Sequence, residues 1–282
     1  MKKILLLICI CFYLQSLEGQ NNYFDYPSPY LLTLKKEMLT GGLSLAAFFA
    51  GKLAEKKENT PPFEPGSFTR EYIQHINFID RSIAGRWDLT SMNNSDWIKS
   101  SSKIATQVSL FLFPGNVKTR VNLLILYLEG YYLTNGMTSL VKGVTGRYRP
   151  FAYLTTEQIN KLDPGSKAKF LDETKGIGLE DSFFSGHASS TAYSLIFLAN
   201  VFNDYFPDTD WKYGMWGVCL AGVVLEDYFR VKSGAHFPTD VLAGSLAGGL
   251  IGFGIPCLHR NLKSENLSIS AFNDGLRIIY SF

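Results

Sequence analysis

The sequence predicts an all-α protein, a helical bundle of about six core helices with several of them membrane-embedded, closed by a short C-terminal β-hairpin. Three observations carry this reading. Long apolar stretches recur along the chain and stop at Gly, Pro or charged runs. Charged residues make up only 18% of the chain, below the roughly 25% usual for soluble proteins. The end of the chain switches to a two-residue alternation. A mean hydropathy of +0.03 excludes a chain that is mostly transmembrane. A length of 282 residues allows one large domain or two small ones. A formal charge of +2 leaves no basic footprint, so no nucleic-acid partner is expected.

Residues 1–19 (MKKILLLICICFYLQSLEG) place two lysines before an apolar stretch and a polar end with Gly19, the layout of a secretory signal peptide. An uncleaved anchor helix is the competing reading. Cys219 and Cys257 then remain, both in apolar segments, with neither a disulfide framework nor metal-type spacing. Residues 20–37, with Pro27 and Pro29, read as an exposed lead-in, and residues 38–260 as the helical domain. MLTGGLSLAAFFAGKLA (38–54) is an apolar helix whose small residues suit close packing. Residues 55–102 read as polar, with one short amphipathic helix around REYIQHINFIDRSIAGRW; an apolar helix over 103–113, lying in the membrane interface, stops at Pro114-Gly115. VNLLILYLEGYYLTNGMTSLV (121–141) is the strongest span, and Glu129 within it is expected to face the bundle interior.

Residues 142–186 form a long Gly- and Pro-rich loop, uncommon unless functional. Helices follow near 187–202, 212–229 and 239–257, and the tail 261–282 ends in a hairpin turning at Asn273-Asp274-Gly275. With a mature amino terminus outside the cytoplasm, the 142–186 loop and the 230–238 turn fall outside. Lys52, Lys56, Lys57, Arg70, Arg81, Arg86, Lys99 and Lys103 then fall inside with His259, Arg260 and Lys263, in line with the positive-inside rule.

Three stretches at helix ends share that outer face. KGVTGRYRPF sets six residues between Lys142 and Arg149; DSFFSGHASSTA opens a helix at Ser185-Gly186-His187; RVKSGAHFPTD carries Arg230, His236 and Asp240. Lys142, Arg149 and Arg230 supply fixed positive charge, and guanidinium groups match phosphate oxygens in pairs. Backbone N–H groups at Ser185 and Gly186 open a helix and suit an anion. Asp240, four residues after His236, is placed to hold the imidazole tautomer that frees the other nitrogen for attack. His187 is suited to protonate a leaving oxygen. Taken singly, each stretch has a plainer explanation: snorkelling cations, a serine cap, a first-turn acid, a packed histidine.

Jointly the stretches resemble the type 2 phosphatidic acid phosphatase superfamily, which includes bacterial acid phosphatases and vanadium haloperoxidases. Its signatures K-x6-R-P, P-S-G-H and S-R-x5-H-x3-D correspond here to KGVTGRYRP, FSGH and FRVKSGAHFPTD, in order, across a catalytic core of 142–257. Phe184 stands where the family has Pro, and Phe229 where Ser usually precedes Arg230. The resemblance implies that His236 attacks phosphorus to form a phosphohistidine, that Asp240 orients it, and that His187 protonates the leaving group. It implies that Lys142, Arg149, Arg230, Ser185 and Gly186 hold the equatorial oxygens, with no cofactor and no metal. The substrate it implies is a phosphorylated membrane lipid: phosphatidate-like, a polyprenyl diphosphate or a lipid A phosphate. The place it implies is a bacterial cell envelope membrane, with the site facing the periplasm. The alternatives are a soluble periplasmic acid phosphatase or haloperoxidase-like enzyme, and a non-enzymatic binder of lipid phosphate.

Overall fold

The computed structural model describes residues 27–54, 64–68, 70–174, 177–261, 267–272 and 275–280. The expected signal peptide and the hairpin turn at 273–274 lie outside the described residues. Nine α-helices are found among those described, six of them of twenty residues or more: α1 (Leu34–Ala54), α3 (Leu89–Leu110), α4 (Val117–Thr145), α7 (Gly186–Tyr205), α8 (Trp211–Lys232) and α9 (Pro238–His259). The short ones are α2 (Arg70–Gln74), α5 (Thr156–Asn160) and α6 (Pro164–Glu173). Strands β1 (Leu267–Phe272) and β2 (Gly275–Tyr280) pair antiparallel. Among the described helices, only α9 is long and apolar enough to cross a membrane by composition alone.

The long helices alternate in direction, so one end of the bundle collects the carboxy ends of α1, α4 and α8 and the amino ends of α3, α7 and α9. Helices α7 and α9 approach closely along a stripe of small residues. A Cβ at Gly244 or Gly252 would stand 2.6 Å from the Ser185 or Tyr193 carbonyl oxygen, and one at Gly248 would strike that of Ser189. Glycine at every fourth position lets the two backbones meet. The centre is aromatic, built from Tyr127, Tyr193, Phe197, Phe113 and Tyr205. Two of its buried phenols are hydrogen-bonded: Tyr193 donates to the Tyr127 carbonyl at 2.5 Å, and the Tyr127 hydroxyl meets Ser194 Oγ at 3.1 Å.

Helix α3 departs from the sequence reading. It begins at Leu89, with Asp88 accepting from Ser91 N at 3.0 Å as its cap, and runs the depth of the bundle rather than lying in an interface over 103–113. Its buried face is Ser91, Ser95, Ser102, Thr106 and Ser109 around Ala105 and Met92. Small hydroxylated residues pack against α7 and α8 and find bonds there: Ser95 Oγ to Glu226 Oε1 at 2.7 Å, Thr106 Oγ1 to the Ser194 carbonyl at 3.0 Å. A hydropathy pattern reads such a face as polar, and so misses it.

That correction overturns the expected sidedness of the loops. Residues 64–88 dock at the same end as the 146–185 segment, through Gly85 N to the Pro150 carbonyl (2.8 Å) and Asp88 N to the Ser233 carbonyl (3.1 Å). The lead-in lies at the opposite end, where Leu31 N donates to the His259 carbonyl at 2.9 Å and Tyr30 Oη to Asp204 at 2.8 Å. The expected long loop is itself built. A 3-10 turn (Pro150–Tyr153), α5 and α6 bury Phe151, Leu154, Ile159 and Phe170, with Trp87 edge-on to Phe151 and Phe170 at 5.4 Å each.

Candidate functional site

The turn between α8 and α9 depends on Gly234, whose φ is +75°. A Cβ there would run into the Arg86 carbonyl, so glycine is needed for both conformation and space. Its own carbonyl accepts from Phe151 N at 3.1 Å, which ties the turn to the segment carrying Arg149 and Pro150. His236 follows, 1% exposed. Its Nδ1 lies 2.7 Å from the Ser182 carbonyl and 3.8 Å from Asp240 Oδ2. A carbonyl only accepts, so Nδ1 carries the proton and Nε2 is the nitrogen left for chemistry. The expected carboxylate–imidazole hydrogen bond is thereby replaced by a backbone one.

Asp240 is occupied elsewhere. Its Oδ2 accepts from Ser182 Oγ (2.5 Å) and from Phe237 N (2.8 Å), closing the first turn of α9. Its Oδ1 accepts from Arg147 Nη1 at 2.5 Å. The same guanidinium reaches Asp80 Oδ2 through Nη2 at 2.6 Å, and Asp80 in turn accepts from Thr239 N (3.1 Å) and Thr239 Oγ1 (2.5 Å). The Arg147 guanidinium also lies 4.4 Å from the Phe237 ring centroid. Arg147, Asp80 and Ser182 thus fasten the segment that presents His236. Arg147 lies inside the first signature, but at a spacing that singles it out for nothing.

A cavity of about 600 Å³ opens beside His236. Lys142, Arg149, Gly186 and His187 line it, together with Lys52 and Phe48 of α1, Lys99 of α3 and Tyr131 and Asn135 of α4. Lys52 and Lys99, which the sequence reading put on the opposite face, therefore line the same cavity. Arg149 is held by Nε to the Gly178 carbonyl at 2.6 Å. Gly186 opens α7, and Ser185 caps it by accepting from Ala188 N at 3.3 Å; Ser185 N is fixed on the Asp240 carbonyl at 3.0 Å. Phe184, in place of a proline, is buried and leaves that cap intact. Arg230, Ser185 and Asp240 are buried one layer behind the lining residues.

On the other side, His187 Nε2 pairs with Asp96 Oδ1 at 2.8 Å, and Arg230 Nη1 lies 3.6 Å from the same oxygen and 3.4 Å from Ser95 Oγ. The sequence reading had no signal for Asp96, because α3 itself was misread. Burial, and then the positive charges of Arg149, Arg230 and Lys142, hold the His236 imidazole well below the ordinary histidine range. A neutral imidazole among cations is the charge state of a nucleophile that meets an anion.

The family model described as the PAP2 superfamily matches residues 123–264. Among solved structures, the first transmembrane PAP2 type phosphatidylglycerolphosphate phosphatase, from Bacillus subtilis, is similar at 17% identity and a TM-score of 0.37, over 92% of this chain and 96% of that one. Comparison with curated proteins gives no match.

Proposed function

This chain belongs to the PAP2 superfamily, and we propose that it is a membrane phosphatase that hydrolyses a lipid phosphate or diphosphate through a phosphohistidine on His236. The observation that carries the reading is the pairing of a neutral, Nδ1-anchored His236 with Lys142 and Arg149 around one cavity. His236 Nε2 attacks phosphorus as the bond to the leaving oxygen breaks, and His187 passes that oxygen a proton. Lys142, Arg149 and the Gly186 amide stabilise the oxygens as charge builds, and Arg230 adds its positive charge from the layer behind them. Water then attacks phosphorus as the bond to His236 Nε2 breaks, with the neutral His187 taking the water's proton, and phosphate and free His236 are released. Asp96 supports the imidazolium that His187 becomes. Asp240 acts on His236 through Ser182 and through the helix start.

The bundle surface supports a lipid as substrate. Helix α1 exposes Leu39, Leu43, Phe49 and Leu53, α8 exposes Val224 and Tyr228, and α9 exposes Leu242, Leu246 and Leu250. Apolar side chains exposed along three long helices suit a bilayer. Phe48 of α1 lines the cavity itself, so an acyl or prenyl chain has an apolar wall from the bilayer to the phosphate. A phosphate-release screen over lipid monophosphates and diphosphates, with His236→Ala as blank, tests the proposal. Release by the blank at the wild-type rate sinks it.

A periplasm-facing site in a bacterial envelope membrane is part of this reading, and it carries a condition. The lead-in and the site occupy opposite ends of the bundle, so residues 27–33 must then be cytoplasmic. A cleaved signal peptide would deliver them outside, so the two expectations exclude each other. With Cys9, Cys11, Cys219 and Cys257 replaced, a membrane-impermeant maleimide should label Lys161→Cys in intact cells and spare Lys35→Cys; the reverse pattern puts the site inside.

A further inference from the structure

At the end of the bundle away from His236, three residues far apart in the chain converge: Glu37 in the first turn of α1, Glu129 in α4 and His259 at the end of α9. One ligand atom from each lies within 4.8 Å of the other two. His259 is 0% exposed, and its Nδ1 is 2.9 Å from the Ile255 carbonyl, so the proton is there and the Nε2 lone pair is free. That Nε2 stands 3.4 Å from Glu37 Oε1 and 3.6 Å from Glu129 Oε2, too far for strong hydrogen bonds. Glu129 Oε1 accepts from Thr40 Oγ1 at 2.9 Å. The other atoms do not share that provision. Both Glu37 oxygens, Glu129 Oε2 and His259 Nε2 are buried with no hydrogen-bond partner among the described residues.

We infer that Glu37, Glu129 and His259 bind a divalent transition-metal cation, with Zn²⁺ the best match. Bonds of about 2.0–2.1 Å at tetrahedral angles separate neighbouring ligand atoms by about 3.4 Å, which is the spacing His259 Nε2 keeps from the two carboxylates. One imidazole and two carboxylates form a borderline donor set suited to such an ion rather than to Ca²⁺ or Mg²⁺, which prefer oxygen alone. Two carboxylates balance a divalent charge, where on their own they would be two like charges in an apolar bundle. The Nδ1–H bond to the Ile255 carbonyl is the outer support that a ligating histidine usually has. The Glu37 side chain, 23% exposed, is the most accessible of the three. The inference does not depend on the phosphatase reading.

The test uses the full chain purified in detergent, stripped with chelator and titrated with Zn²⁺ alone by calorimetry, with melting followed in parallel. One Zn²⁺ should bind per chain and raise Tm by several degrees, and the chelator should reverse the shift. Glu129→Gln and His259→Gln should abolish stoichiometric binding. Glu37→Gln, at the most exposed of the three positions and so the safest for folding, should weaken it by more than the roughly 10-fold that loss of an outer support costs. Wild type that takes up no more Zn²⁺ or Mn²⁺ than the folded Glu37→Gln protein overturns the site. The cluster is then a proton-sharing acid pair beside a histidine.

Discussion

The two ends of α9 hold the same group in opposite fields. His236, two residues before the helix, and His259, its last residue, each commit Nδ1 to a backbone carbonyl, at 2.7 and 2.9 Å, and each is buried. Around His236 the neighbours are Lys142, Arg149 and Arg230; around His259 they are Glu37 and Glu129. One imidazole is therefore set to meet an anion and the other a cation. The helix favours the same assignment, since its amino end is the positive pole and its carboxy end the negative one. An imidazole's role is thus decided by what surrounds the free nitrogen. The bond on the other nitrogen only decides which one is free.

The contrast breaks most visibly through His236→Ala. That variant should lose turnover to the detection limit while keeping its Zn²⁺-dependent melting shift. Conversely, His259→Gln should keep phosphate release per folded molecule. Transfer of either defect to the other end would mean the ends are coupled. Arg149→Ala should lower kcat/KM by on the order of 10²–10³-fold, the usual cost of a missing donor to transition-state charge. A loss below tenfold would remove Arg149 from the phosphate site. Arg147→Met should act on stability instead, because it strands Asp80 and Asp240, both 0% exposed. About 3 kcal/mol or more is expected in a chemical or thermal melt. A variant as stable as wild type would show that the carboxylates are not held as charges.

The smallest effect is a pH dependence. The folded pKa of His236 lies below its unfolded value of about 6.5. Its contribution is therefore complete above pH 6.5 and fades as pH falls below it, where the unfolded chain takes up a proton that the native state refuses. The loss should grow steadily as pH drops below about 6.5. Subtracting the melting curve of a His236→Gln variant isolates it. An equal slope in both proteins would show that His236 is protonated in the native state.

The parts of this design that repeat at short range were legible in the chain. Lys142, Arg149, Ser185, Gly186, His187, Arg230, His236 and Asp240 are singled out by spacing, and the structure gathers them at one end of the bundle. The apolar helices were legible for the same reason. What was lost lies across the fold. Asp96 reaches His187 from α3, whose serine face masks it as a span, and Asp80 reaches Thr239 through 159 positions of sequence. Glu129 read only as a residue turned inward; nothing local ties it to Glu37 or His259. The carboxylate at Asp240 was placed correctly beside His236, but which of four acceptor sites it gives to which donor is a matter of three-dimensional competition.

The serine stripe of α3 has one more consequence, for the order in which the protein is put together. Lys99, Lys103 and Asp96 sit on the same helix as Ser91, Ser95, Ser102, Thr106 and Ser109, so α3 has little affinity of its own for lipid. The hydroxyls of Ser95 and Thr106 are satisfied by Glu226 on α8 and Ser194 on α7, which leave the ribosome much later. In a membrane, α3 therefore has to wait for its partners before it can settle. A chain truncated after α4 should leave it accessible to water-borne reagents, and one extended through α8 should close it off.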